Sequence, residues 1–163
     1  MLERYRNAKF ARPESIATAS RDEFDPAAVA ASLADDDAVV AYGRLDDEVF
    51  AISLHQGRFR LHRGLTTLQA VYEAQAALRL QLDTFRLGAT HLGRHHSLLV
   101  DRARRCLGRL HELLWQPLAP ALGDAAFVRI VPCAEFGALP FAALWDGTCY
   151  LAERFATTRL ASL

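Results

Sequence analysis

The chain has 163 residues, with 19 basic (Lys and Arg) and 19 acidic (Asp and Glu) side chains, so its formal net charge is zero. That balance excludes a long-range electrostatic pull toward nucleic acid or an anionic membrane surface. A hydrophobic content of 52% against 23% charged excludes an unfolded, highly charged chain, and no apolar run reaches the roughly 20 residues that span a bilayer.

The N-terminus, Met1 to Phe10, is charged and lacks the apolar block of a signal peptide. Residues 1–20 show no clear period and contain Pro13, which reads as a linker or arm preceding one domain over 21–163. Asp25 to Leu33 has a short helical pattern. Ser20 is a candidate cap, Pro26 suits the first turn, and Val29 and Leu33 share a face.

Three strands are predicted next. Ala38–Tyr42 and Val49–Leu54 flank the polar turn Leu45-Asp46-Asp47-Glu48, and Arg58–Arg63 follows the turn His55-Gln56-Gly57. The last run alternates, which places Phe59 and Leu61 on a buried face and the basic residues on the other. The short turns make these strands an antiparallel meander.

Two helices follow. Thr66 or Thr67 caps the first, whose stripe is Leu68, Val71, Gln75, Leu78, Leu82 and Phe85. The second runs from about Ser97 to Trp115, with Leu99, Ala103, Cys106, Leu110 and Leu113 on the buried face. Arg102, Arg105 and Arg109 line its solvated face, and Pro117 stops it.

Beyond the Gly123-Asp124 turn, Phe127–Val131 is short and β-branched, as in a strand buried on both faces. It ends at Pro132. The apolar run Leu139–Trp145, the Asp146-Gly147 turn and a strand-like segment at Tyr150–Phe155 come next, with one more strand or hairpin over roughly Cys149–Thr158. A strand of this kind with few partners leaves unpaired edges, so self-association through an exposed sheet edge is expected.

The Val131-Pro132 step, the phrase Leu139-Pro140-Phe141-Ala142-Ala143-Leu144 and the stretch Tyr150-Leu151 to Ser162-Leu163 resemble the CHAT domain, a family of caspase-like cysteine proteases. Leu33–Tyr42, Phe50–His62 and Leu110–Leu118 extend the likeness to about residues 20–163. Cys133 stands where the family commonly has a small polar residue, Gly or Asp, and Gly137 where it often has His.

The resemblance implies an α/β fold: an antiparallel three-stranded meander and a long helical hairpin leading into an incomplete caspase-like sheet. It also implies a catalytic His after one strand and a catalytic Cys after the next, both beyond the residues that Leu163 closes. The implied function is therefore the non-catalytic N-terminal half of a cysteine endopeptidase, whose partner is the protease half or another protein. The alternative is a stand-alone, inactive interaction module.

The remaining polar clusters give no catalytic, cofactor or metal assignment. Cys133 follows a strand end, where active sites of open sheets gather, but no His is assigned to it. Cys106 lies on an apolar helix face and Cys149 begins a strand, so both read as packing. An odd number of cysteines at unrelated spacings points to reduced thiols and a cytoplasmic location.

His91 and His95 have the four-residue spacing of helical metal ligands. Gly93 interrupts them, and no Cys or carboxylate at ligand spacing completes a set with them and His96; the nearest acid is Asp101. His55, His62 and His111 read as surface residues, the last beside Glu112. Asp35-Asp36-Asp37 lacks the glycine and distal glutamate of a calcium loop and reads as a polar turn. Gly137 and Gly147 are isolated and form no phosphate cradle.

Overall fold

The computed structural model of the chain describes residues 25–85 and 96–160. The linker expected over residues 1–20 and the cap expected at Ser20 lie outside them. Helix α1 (Pro26–Ala31) is capped instead by Asp25, whose Oδ1 accepts from the Ala27 N–H at 2.9 Å.

The meander forms as predicted: β1 (Asp37–Leu45), β2 (Glu48–His55) and β3 (Arg58–Thr67). Gln56 and Gly57 sit at φ 49° and 68°, the paired left-handed residues of a tight type I′ hairpin turn. Asp47 closes the next junction. Its carbonyl accepts from Leu68 N–H at 2.7 Å and its Oδ1 from Gln69 N–H at 3.2 Å, while Thr67 Oγ1 accepts from Ala70 N–H at 3.2 Å. Thr67 is thus the capping threonine of α2 (Leu68–Phe85), which packs against α3 (His96–Leu114).

Pro117 ends α3 in a 3₁₀ turn, Gln116–Leu118, followed by the short α4 (Ala119–Leu122) and then β4 (Phe127–Val131). Two more 3₁₀ turns, Ala134–Phe136 and Phe141–Ala143, lead to α5 (Leu151–Arg154) and β5 (Ala156–Arg159). Residues 151–154 are therefore helical rather than strand. The Tyr150 N–H donates to Glu153 Oε2 at 2.6 Å, and Glu153 N–H returns to Tyr150 O at 2.9 Å, a local box that an extended segment lacks.

All the strands join one open sheet, in the order β3-β2-β1-β4-β5. β1 pairs antiparallel with β2 and parallel with β4, and β4 pairs parallel with β5. The meander is thus continuous with the later strands, and β4 is flanked on both sides. A parallel partner for β1 requires a long crossover, and α2 and α3 supply it.

The main core lies between the helices and one sheet face. Ala38, Val40, Tyr42, Val49, Ala51, Val128 and Ile130 meet Val71, Leu78, Leu107, Leu110, Leu114 and Trp115, all buried. The buried stripe of α2 is Val71, Ala74 and Leu78, while Leu82 is 49% exposed. Burial on α3 follows the predicted face, with Leu107 and Leu114 added and Arg102, Arg105 and Arg109 in solvent.

The opposite sheet face is only partly covered. Val39 and Leu54, cross-strand neighbours, are buried, but Ile52, Phe59 and Leu61 are 40%, 42% and 59% exposed. This reverses the expectation that Phe59 and Leu61 face the core. The helices cover the other face, so alternation in β3 turns these two residues away from them.

Two polar ties anchor the strands. Asp37, 7% exposed, accepts from Arg129 Nη2 of β4 at 2.6 Å across the β1–β4 junction. Glu48 accepts from Arg63 Nε and Nη2, both at 2.7 Å, and from Gly64 N–H at 2.8 Å. Arg129→Ala leaves the Asp37 carboxylate with only the long contact from Ala34 N–H, 3.4 Å. We expect it to cost about 1–3 kcal/mol, read by urea unfolding against Arg102→Ala, which should be near neutral.

The hydrogen bonds from Arg63 hold the Glu48 carboxyl down to about 2, from an ordinary value of 4.5. Because the folded value is the lower one, the stabilisation is complete above pH 4.5 and is lost as pH falls toward 2. The melting temperature of Glu48→Gln should therefore lie below that of the parent at neutral pH. The gap should close on acidification, and a constant gap down to pH 2 would contradict the tie.

Candidate functional site

The carboxyl ends of the adjacent parallel strands β1 and β4 are where an open α/β sheet places its chemistry. There β4 runs into Pro132 and Cys133, and Cys133 opens a 3₁₀ turn in which Phe136 N–H donates to Cys133 O at 2.9 Å. Phe136 meets the Tyr42 ring edge-on at 5.8 Å, and Phe141 stacks on it at 5.2 Å. The Tyr42 O–H donates to Leu114 O at 3.0 Å. Burial, with Cys133 adding to it, drives the Tyr42 phenol far above its ordinary value, so it acts as a fixed donor rather than an acid.

Arg44 Nε donates to Glu135 at the rim. The half-buried Cys133 thiol is pushed up first by burial and then by its hydrogen bond with Glu135. An activated cysteine needs the opposite, a positive and open setting that favours thiolate. Beside this end of the sheet lies a groove of about 670 Å³ between α2 and the 135–140 loop, lined by Tyr72, Leu78, Arg79, Leu82 and Pro140.

A second constellation joins α3 to the 145–154 segment. Arg104 lies over the Trp145 ring at 4.7 Å, and its Nε donates to Tyr150 Oη at 3.2 Å. Asp146 Oδ1 accepts from Thr148 N–H and Oγ1–H, both at 2.7 Å, and from Cys149 N–H at 2.9 Å, while Oδ2 accepts from Arg154 at 3.0 Å. These donors, the Cys149 amide foremost, hold the carboxyl far below its usual range. Cys149 thus belongs to a turn organised by Asp146, not to a strand, and its thiol donates to Asp146 Oδ2 at 3.4 Å. Asp146, Arg104 and Trp145 border an open groove of about 870 Å³.

The histidines differ from their surface reading. His55 is 7% exposed, with Nδ1 3.0 Å from Asp37 O and Nε2 3.3 Å from Asp124 Oδ1. His62 is half-buried and hydrogen-bonded through Nε2 to Ser53 Oγ at 2.8 Å. Burial, with Arg60 second, lowers the His62 pKa, which favours a neutral ring. This Ser–His pair ties β2 to β3, and Ser53 is 1% exposed. His111 is half-buried on α3, and burial lowers its pKa as well.

His91 and His95 lie outside the described residues. Cys106 packs partly buried against the core, as its helical spacing indicates. Of the acidic turn, Asp37 is the buried partner of Arg129, whereas the Asp36 carbonyl accepts from Ala126 and Phe127 N–H at 2.9 and 3.2 Å. Among the described residues no cysteine is hydrogen-bonded to a histidine, and no cluster of three or more His, Cys, Asp or Glu is placed to hold a metal.

Residues 104–163 match the family model described as CHAT domain. The matched segment runs from Arg104 in α3 through β4 and β5, so it contains the β4 carboxyl end and the Asp146 turn. It carries the Leu139–Leu144 phrase on which the resemblance rested, while the likeness read over residues 20–103 lies outside the match. No curated protein matches the chain. The CHAT match is to a caspase-like protease-family domain, and among the described residues no helix is long and apolar enough to cross a membrane.

The raised thiol of Cys133 has a direct readout. In a Cys106→Ser, Cys149→Ser background, alkylation of Cys133 by iodoacetamide should rise with pH along a curve displaced upward from that of free cysteine. A midpoint below that of free cysteine would mean an activated thiolate at the end of β4.

Proposed function

We propose that this chain forms the non-catalytic N-terminal half of a caspase-like cysteine endopeptidase of the CHAT type, and that the β5 side of its sheet receives the protease half. The observation that carries this reading is the position of the CHAT match. It covers residues 104–163, which include the parallel pair β4–β5, and among the described residues β5 is the outer strand of the sheet. A further parallel strand beside β5 extends the same α/β layer and covers its open backbone groups.

The chemistry near Cys133 supports the division of labour. Glu135 beside a half-buried thiol opposes thiolate formation, so peptide-bond attack is assigned to residues of the protease half. There a thiolate adds to the scissile carbonyl while an imidazole passes its proton to the leaving amine. The described residues serve as scaffold: β1 and β4 fix the sheet edge, and α2 and α3 cover its inner face. A cytoplasmic setting suits the three free thiols.

The purified chain should not hydrolyse an unfolded protein substrate, as judged by gel and mass spectrometry. Cleavage that survives affinity repurification and disappears on Cys133→Ala would overturn the assignment. In the encoding DNA, an open frame after the Leu163 codon with strand–His and strand–Cys segments is the expected context. A stop codon there would favour the interaction module.

A further inference from the structure

β3 is the outer strand on the other side of the sheet, and among the described residues nothing pairs with its free edge. It is 10 residues long, longer than most outer strands that proteins leave uncovered. The hairpin geometry decides which of its groups face outward. With a two-residue type I′ turn at Gln56-Gly57, the flanking His55–Arg58 pair exchanges both ladder bonds. Alternation makes Ser53–Arg60 and Ala51–His62 bonded pairs too, whereas Leu54–Phe59 and Ile52–Leu61 are not. The N–H and C=O groups of Phe59 and Leu61 therefore point to the open edge.

The side chains around those groups carry a consistent pattern. On the helix-side face, Arg58 and Arg60 are exposed, and neither side chain has an ion-pair or hydrogen-bond partner among the described residues. They border a polar recess of about 130 Å³, with His55, Gln56, Pro120 and Asp124 on its other walls. The Asp124 carboxylate is engaged by Gln56 Nε2 and His55 Nε2, both at 3.3 Å. On the opposite face Phe59 and Leu61 continue the apolar strip of Ile52. Arg63, also basic, is already bound by Glu48.

We propose that β3 is a docking edge for an extended, acidic segment of a partner protein, which adds a strand to the sheet. Its backbone pairs with Phe59 and Leu61. Its acidic side chains face Arg58 and Arg60, and its alternate apolar side chains cover Phe59 and Leu61. Antiparallel self-pairing centred on Arg60 sets Arg60 against Arg60, and like charges directly opposite are destabilising, whereas an acidic strand complements both Arg58 and Arg60. The zero net charge and the regular edge of amides favour a peptide over a nucleic acid. The inference is independent of what joins the sheet at β5.

The test uses the full chain and a fluorescein-labelled peptide of alternating Glu and Val, followed by anisotropy. Saturable binding is expected, weakened about tenfold or more by Arg58→Glu with Arg60→Glu. A peptide alternating Lys and Val should then bind the reversed protein better than the parent. Circular dichroism checks that the exposed substitutions leave the fold intact. N-methylation of the peptide at alternate amides, on the edge that faces β3, should abolish binding.

The proposal is overturned by no binding of the acidic peptide, by binding indifferent to N-methylation, or by equal binding of a single-stranded oligonucleotide. The last would mark a general polyanion site. Dimerisation of the parent lost with the same charge reversal would assign the edge to a second copy instead.

Discussion

Strand β1 carries two ladders of different kinds, and the rest of the sheet depends on its ability to do so. On one side it pairs antiparallel with β2 from Ala38–His55 to Leu45–Glu48; on the other it pairs parallel with β4 from Asp37–Phe127 to Ala41–Val131. A strand with both edges bonded and both faces covered at its start must be apolar there. Ala38 and Val40 are fully buried on the helix side, and Val39 is 3% exposed on the other. The parallel ladder in turn demands the crossover of α2 and α3, whose apolar faces then close the core.

Asp37 shows how the same constraint recruits polar groups. Placing β4 beside β1 brings the start of β1 into the interior, so its carboxylate is removed from water. Arg129, reaching across from β4, satisfies it, and the carbonyl of Asp36 holds the first amides of β4. The register of β4 is thereby set by side-chain and backbone contacts at one end, while Val128 and Ile130 set its face. A one-residue slip would break the ion pair and turn both apolar side chains away from the helices.

Much of this order was legible in the chain. The meander followed from turn chemistry, and the helices followed from apolar spacing with Thr67 and Pro117 as their ends. What sequence spacing does not carry is which face of a strand meets the helices. Alternation in Arg58–Arg63 shows that Phe59 and Leu61 share a face, but the choice of the outer face comes from pairing with β2, a long-range fact. The helical Leu151–Arg154 was hidden for a related reason: its apolar residues suit either state, and the Tyr150–Glu153 box decides locally.

The candidate site was legible at Cys133, by its place after β4, but its Glu135 neighbour acts through a turn whose shape spacing alone does not predict. Burial of His55 and His62 was missed because their partners, Asp37, Asp124 and Ser53, come from other strands or loops.

The two outer strands answer to different chemistry, and this bears on how the molecule is organised. β5 has 4 residues, Ala156–Arg159, is parallel to its neighbour and lies within the CHAT-matched segment. β3 is longer, antiparallel to its neighbour, and presents Arg58 and Arg60, whose side chains are unpartnered among the described residues, beside exposed apolar side chains. Strands lie about 4.8 Å apart, so four strand spacings separate these edges by roughly 19 Å. An added strand at β3 and an added parallel layer at β5 therefore do not compete for the same backbone groups. Both edges instead lead back to β1, whose two ladders join the β2–β3 side of the sheet to the β4–β5 side.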